Sequence, residues 1–234
     1  CWTGAYFGIK SYQMLLKEKQ NVLKASSMAH QAHIKMLRYQ LNPHFLFNTL
    51  NAISTLILMK DNQTAGAMVS RLSDFLRYSL DKDPIKRVPL KQEIQALELY
   101  LEIEKVRFED RLQVNWDIQN KASAALVPSL ILQPLIENSI KYAISKLQEG
   151  GQISISASTF GSDLILEVID NGPICNMQEG ELFRTNGVGL TNIRERLQSL
   201  YADHFSFVIA QNNPSGVKVT IRIPHELSEP SFEN

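Results

Sequence analysis

DLILEVIDNGP, residues 163–173, is the stretch on which the reading of the fold turns. Its first eight residues are rich in branched apolar side chains and read as a strand. That strand runs straight into Asp170, Asn171 and Gly172. Two other stretches belong with it. LIENSIKYAI, residues 135–144, reads as a helix with a carboxylate and a carboxamide side by side, Glu137 and Asn138. In TNGVGLTNIRERL, residues 185–197, the pair Gly187 and Gly189 opens a helix whose first-turn N–H groups are free. Each stretch alone is weak, because an isolated GxG is common and an Asn in a helix is usually a surface residue. Their order and context make them specific.

The three together suit a nucleotide with magnesium. Glycines let backbone N–H groups approach phosphates, and a helix N-terminus favours anions. Mg²⁺ takes oxygen ligands, few of them from protein and the rest from phosphates and water, so a carboxamide such as Asn138 suffices. A carboxylate at a strand end, Asp170, can accept a hydrogen bond from an exocyclic amine.

Around this core the pattern mixes helices and strands. LKQEIQALELYLEIEKVRF reads as a helix, with Leu90, Ile94, Leu97, Leu101 and Val106 apolar. LQVNWDI alternates as a strand does, and QISISAST pairs with DLILEVID through an FGS turn. VPSLILQPLIENSIKYAISKL reads as one helix opened by Pro128, and FSFVIAQ with GVKVTIRIP as a closing hairpin. Such an order predicts an α+β sandwich. Upstream, DKDPIKRVP is a charged, proline-punctuated linker and the expected domain boundary. Before it lies a helix over about 64–80, with Ala67, Leu72, Phe75, Leu76 and Leu80 on its apolar side, and KDNQT breaks the helix that precedes it.

Residues 11–40 contain no Pro or Gly, and Leu15, Val22, Ala29 and Met36 recur at heptad spacing. This weak seam predicts a long helix paired with a second copy of the chain, the alternative being one amphipathic helix packed within its own chain. CWTGAYFGIK, followed by Lys17 and Lys19, reads as the inner end of a spanning helix, the other reading being a frayed N-terminus with scattered aromatics, and the chain is expected to be a piece of a longer one. The 234 residues are 44% hydrophobic and 21% charged, enough for real cores. Lys+Arg and Asp+Glu both total 24, so bulk charge gives no support to a direct nucleic-acid partner. Cys1 and Cys175 form neither a disulfide framework nor a metal-ligand spacing, and the five histidines make no metal pattern. His30, His33, His204 and His225 are expected to do no chemistry.

One histidine differs. In LNPHFLFNTLN, residues 41–51, Pro43 and His44 interrupt an otherwise helical spacing. Proline in a helix interior costs about 3 kcal/mol, so the break needs a reason.

Here the sequence resembles a known family. The three downstream stretches look like the N, G1 and G2 boxes of the GHKL (Bergerat-fold) ATPases. YQLNPHFLFNTLNAI, LSDFLRYSL and LELYLEIEKVRFEDRL look like the LytS/YehU-type sensor histidine kinases, and the resemblance runs from about residue 35 to 224. It implies an N-terminal long helix and helical-hairpin dimerisation bundle followed by a GHKL α/β sandwich. The expected divisions are 1–10, the end of an upstream transmembrane segment; 11–84, signalling helix and dimerisation/phospho-acceptor domain; 85–226, ATP-binding domain; and 227–234, tail.

By position, the resemblance makes His44 the phospho-acceptor, Asn138 the Mg²⁺ ligand and Glu137 the base or water-orienting group. Lys141 reaches toward phosphate, and Tyr142 stands where the N box often has histidine. Asp170 reads adenine and Gly172 leaves room for its ring. Gly187 and Gly189 form the phosphate-facing turn, and Leu190, Asn192 and Arg194 follow on the helix. Pro43 would then present His44 for phosphorylation, with Gln40 and Asn48 sharing its face. Implied too are ATP and Mg²⁺ as cofactors, a homodimer, and a response regulator of LytTR type as partner. The implied location is the bacterial inner membrane, reached through a segment upstream of residue 1. The chain departs from the G1 box: Pro173 and Ile174 follow Gly172, so the second glycine is missing, and the lid segment 174–186 is short. That leaves two alternatives beside a kinase: a pseudokinase or phosphatase scaffold of the same fold, or another GHKL ATPase.

Overall fold

The computed structural model describes residues 43–81, 86–173 and 188–227. The expectations for residues 1–42, for the 174–186 lid segment and for Gly187 lie outside the described residues. Two compact units divide between Phe47 and Asn48. Of the first, the described part is the start of helix α1 (Pro43–Leu58). His44 is exposed on it.

Helix α1 ends in a tight turn where Lys60 adopts a left-handed φ of 63°. Asp61 then caps helix α2 (Asn62–Asp81): its Oδ1 accepts the Thr64 N–H at 3.1 Å, satisfying one of the orphan donors of the first turn. The Thr64 hydroxyl first, and then this N–H, hold the Asp61 carboxyl below its usual value. The buried seam of α2 is Ala65, Met68, Leu72, Phe75 and Ser79. These positions follow the three- and four-residue steps of one helix face. Ala67, expected on the apolar side, is exposed instead, because two residues from Ala65 turn it about 200° away.

Strand β1 (Arg87–Pro89) leads directly into helix α3 (Leu90–Phe108). Helix α2 lies along α3, with Phe75 and Tyr100 ring centroids 5.7 Å apart and Arg71 2.6 Å from Glu102. A single 3-10 turn separates α3 from β2 (Leu112–Ile118). Next come a one-turn helix α4 (Asn120–Ser123) and β3 (Leu126–Pro128), which pairs antiparallel with β1. Segments this short carry no readable period, and the β1–β3 ladder was not foreseen.

The stretch expected to be one helix from Pro128 is three pieces. Strand β3 ends at Pro128, residues 129–132 form a buried turn, and helix α5 (Gln133–Tyr142) starts only there. Pro134, not Pro128, is the proline of the first helical turn, where a missing N–H costs nothing. Leu130 has φ 57°, which no helix tolerates.

The main sheet is built from β4 (Gly151–Phe160), β5 (Asp163–Asp170), β6 (Ser206–Gln211) and β7 (Val217–Pro224) together with β2, in the order β2-β4-β5-β7-β6. Only β2–β4 is parallel; the two hairpins and β5–β7 are antiparallel. Helix α6 (Val188–Tyr201) follows β5 and precedes β6 in the chain. Burial alternates along all of β5 and along β4 as far as Ser158. One face (Ile153, Ile155, Ala157, Leu164, Leu166, Val168, Ile221) is buried with the apolar sides of α5 and α6, including Ile136, Ile140, Ile193 and Leu197. The other face is polar and half-exposed, with Lys218 2.6 Å from Glu167. Helices on one face of a five-stranded sheet make the expected α/β sandwich. No described helix is long and apolar enough to cross a membrane.

The alternation sets up a paired test. Leu166 is 2% exposed, so Leu166→Ala should destabilise the domain by about 2–5 kcal/mol in urea unfolding followed by circular dichroism. Its neighbour Ile165, on the half-exposed face, should cost well under half of that on the same change. Equal losses would mean that the buried face is wrongly assigned.

Candidate nucleotide site

Strand parity decides where Asp170 points. Leu164, Leu166, Val168 and Asp170 share one face of β5, so the last residue of the strand is aimed into the core with the apolar ones. Burying a carboxylate is costly unless it is hydrogen-bonded. Asp170 is 7% exposed and is met by three donors. Its Oδ2 accepts the Ser139 hydroxyl at 3.0 Å, and its Oδ1 accepts the N–H groups of Gly172 at 3.0 Å and Val217 at 3.2 Å. Burial pushes the Asp170 carboxyl up, and these three donors oppose the rise. A carboxylate has about four lone-pair sites, so room for one further donor remains.

Those contacts bring the separated stretches together. Ser139 is the neighbour of Asn138 on α5. Gly172 lies against Ala143 so closely that a Cβ on it would be 2.5 Å from the Ala143 Cβ. Gly189, in the first turn of α6, sits where a Cβ would be 3.6 Å from Pro134 in the first turn of α5. The helix of Glu137 and Asn138, the end of β5 and the glycine-led helix therefore converge.

Asn138 is half-buried, and its Nδ2 is buried without a hydrogen-bond partner among the described residues. Since the two ends of an amide are interchangeable by a flip, this edge can equally present an oxygen. A carboxamide held without a protein partner fits a group awaiting a ligand or cation. Among the described residues no cluster of three or more His, Cys, Asp or Glu could hold a metal. Glu137 is half-buried and accepts from Gln133 Nε2 at 2.8 Å, one turn back. Lys141 is exposed, with its Nζ 4.7 Å from the Tyr142 ring centroid; Lys146 lies 5.6 Å from the same ring. Leu190 is buried and serves the core, while Asn192 and Arg194 are exposed on α6.

Several residues that build this site were not anticipated. Gly216, with φ 102°, passes so close to β5 that a Cβ would sit 1.8 Å from the Asp170 carbonyl oxygen. The NNPSG stretch reads only as a turn, and nothing local ties it to Asp170. Asn171 Oδ1 accepts the Gln152 N–H at 2.7 Å and fastens the strand end to β4. Ser139 does carry a signal in the sequence: a polar residue in step with Leu135, Ile136 and Ile140 on the buried face of α5.

The turn that launches α5 is also built from afar. Glu93 on α3, 2% exposed, accepts the N–H groups of Leu130 at 2.8 Å and Leu132 at 3.3 Å. Arg196 on α6 donates to the carbonyls of Ser129 at 2.8 Å and Leu130 at 3.3 Å. The left-handed Leu130 is thus held on both its N–H and its C=O side, as such strained residues must be. Burial pushes the Glu93 carboxyl up, against the pull of those N–H groups and of Arg196. It pushes the Arg196 guanidinium down, against Glu93.

Comparison with known proteins adds two family matches. Residues 32–112 match the family described as "Histidine kinase", and residues 125–227 match "Histidine kinase-, DNA gyrase B-, and HSP90-like ATPase". Sensor histidine kinase BtsS of Escherichia coli (strain K12) is 38% identical over 205 residues, which is 86% of this chain and 35% of the relative. Sensor protein LytS of Enterococcus faecalis is 31% identical over 212 residues, 87% of this chain and 36% of the relative. The chain spans about a third of the length of these curated relatives. Among solved structures, Acinetobacter baumannii histidine kinase AdeS superposes with a TM-score of 0.49 at 17% identity, covering 78% of this chain and 95% of that one.

The packing of Gly172 against Ala143 makes a direct prediction. Gly172→Ala should cost about 1–3 kcal/mol of stability, because the added methyl must push α5 away from the end of β5. Chemical denaturation measures it, and a variant as stable as the parent would show that the two elements are not in contact.

Proposed function

We propose, for a chain whose residues 32–112 belong to the histidine kinase family and whose residues 125–227 belong to the histidine kinase-, DNA gyrase B- and HSP90-like ATPase family, that it is the kinase core of a two-component sensor. In this reading it binds ATP between α5, the end of β5 and the start of α6, and phosphorylates its own His44. The phosphoryl group then passes to an aspartate of a response regulator, of LytTR type.

One observation carries the reading. Asp170 is buried, held by three donors and left with one acceptor site, beside an Asn138 amide that has an unpartnered buried edge. Asp170 accepts the adenine amine, while Gly172, which already has no room for a side chain, lets the ring lie close. Asn138 offers its oxygen to Mg²⁺, and Glu137 beside it orients or takes up a proton. When bound, the ion neutralises charge developing on the phosphates. Gly189 and the first-turn N–H groups of α6 face the phosphates, a role that Gly187 carries by sequence alone, and Lys141 swings from Tyr142 toward them. Tyr142, Leu190 and Asn192 complete the nucleotide side.

At His44 a ring nitrogen attacks the γ-phosphorus, the bond to the β–γ bridging oxygen breaks, and ADP leaves with that oxygen. The imidazole must be neutral to attack, and it loses its N–H proton to solvent or to a nearby base. His44 is exposed, as a group that must later meet a second protein has to be. The exposed apolar side chains Leu50, Ile57, Leu58 and Met59 on and just after α1 support a homodimer through this region. Residues 11–84 are read as the dimerisation and acceptor part and 85–226 as the ATP-binding part. The aromatic and lysine pattern of residues 1–19 supports attachment to the bacterial inner membrane by an upstream segment.

Incubation with γ-labelled ATP and Mg²⁺ should label the chain with acid-labile, alkali-stable phosphate, and His44→Gln should abolish the label. An unlabelled parent that still binds ATP would favour the pseudokinase scaffold, for which the Pro173–Ile174 departure from the G1 box argues. Label elsewhere than His44 would remove the acceptor assignment.

Asp170→Asn should weaken ATP binding by about tenfold or more, since an amide can turn its donor toward the adenine amine and leave a buried mismatch. Titration of the parent gives a second check. The Asp170 carboxyl is raised in the folded protein, so its acceptor form is lost as pH falls through that raised value. ATP affinity should therefore begin to fall at a pH above the ordinary aspartate range, and Asp170→Asn should lose that dependence. Calorimetry showing parental affinity in the variant would take Asp170 out of the site.

A further inference from the structure

Tyr78 and Glu93 have no part in the chemistry above, yet they join the helix after the His44 helix to the turn that starts the Asn138 helix. The Tyr78 hydroxyl, on α2, donates to Glu93 Oε2 at 3.4 Å. That same oxygen accepts the Leu130 N–H at 2.8 Å, while Oε1 takes Leu132. Tyr78 and the strained Leu130 therefore share one atom. Leu130 is gripped on its carbonyl side by Arg196, which sits on the glycine-led helix. The chain of contacts runs from α2 to Glu93, to the 129–132 turn, and on to both helices that flank the nucleotide cleft.

We propose that the Tyr78–Glu93 contact is a positioning couple through which the seating of α2 on α3 sets the geometry of the nucleotide cleft. The inference rests on the nucleotide reading of that cleft. Three features support it. A buried carboxylate cannot lose one partner without re-aiming at another, so withdrawal of Tyr78 changes the hold on Leu130. A left-handed Leu keeps its conformation only while its surroundings over-determine it, so the turn is the compliant step. Tyr78 stands at the rim of the helix pair: an open surface groove of about 580 Å³ runs beside it, lined by Asp74, Arg77, Tyr78, Gln92 and Gln95 among others. The contact is thus made at the solvent-facing edge of the α2–α3 packing. Burial and the facing Glu93 carboxylate both push the Tyr78 hydroxyl upward, so it stays a donor across the working pH range. Tyr78 touches no substrate in this scheme; it acts through Glu93.

The test is Tyr78→Phe in the full chain, which removes one oxygen and keeps the ring. Hydrogen exchange is followed over residues 129–140, with β4 and β5 as internal reference, and ATP affinity is measured by calorimetry. Expected are faster exchange over 129–140 with the strands unchanged, and ATP affinity weaker by about threefold or more. In a double-mutant cycle, Tyr78→Phe should add nothing further on a Glu93→Gln background if the two act as one unit. Parental exchange and parental affinity in Tyr78→Phe would overturn the proposal. So would faster exchange with parental affinity, which would stop the coupling at the turn, and so would simple additivity in the cycle. A parent chain that binds no ATP would instead end the nucleotide reading before any variant is compared, and the exchange arm would still decide whether Tyr78 holds the turn.

Discussion

A carboxylate buried at the end of a strand must be hydrogen-bonded, and Asp170 draws its partners from three separate parts of the chain. Ser139 comes from α5, Gly172 from the residues just after β5, and Val217 from the start of β7. Each donor fixes the approach of its own element. The hydroxyl brings α5 onto the sheet, the Gly172 N–H folds the chain back over the strand end, and Val217 sets where β7 begins. The space around this junction is correspondingly tight. Side chains are excluded at Gly172 by Ala143 and at Gly216 by the Asp170 carbonyl. A carboxylate that organises the fold in this way is held in one orientation by the fold itself.

A second buried carboxylate does for the turn before α5 what Asp170 does for the sheet. Glu93 and Arg196 divide the polar groups of residues 129–132 between them, the acid taking N–H groups and the guanidinium taking carbonyls. Neither would be stable buried alone, and their mutual attraction across the turn offsets part of the desolvation. The outcome is a left-handed Leu130 and a helix that begins at Gln133 rather than at Pro128. The position of Asn138 relative to Asp170 follows from that start point, since each residue of a helix turns its side chain by about 100°.

How much of this was legible depends on the range of the interaction. Strands β2, β4, β5, β6 and β7 follow from alternation, and α3 and α6 from helical spacing, because burial of one face repeats with the period of the element. Asp170 was legible as a polar residue ending an apolar strand, and Asn138 as one half of a Glu-Asn pair. The strand β3, the turn after it and the β1–β3 ladder were not, because three or four residues show no period. Ala67 is apolar yet stands on the exposed face of α2, because its position relative to Ala65 and Met68, not its side chain, decides the face.

By itself, the sequence determined the α+β class, the order of the boxes and the residue types at the candidate site. These depend on local periodicity and on chemistry that a side chain carries wherever it stands. Tertiary structure alone decided that Ser139, Gly172 and Val217 share one carboxylate. It alone decided that Gly216 must lack a side chain, and that Glu93 and Arg196 clamp the same turn. Those pairings join residues 31 to 67 positions apart, or across a turn whose geometry nothing nearby dictates. A hydrogen bond is satisfied by proximity in space, and proximity between distant segments is set only when the sheet has ordered its strands and the helices have been laid on it.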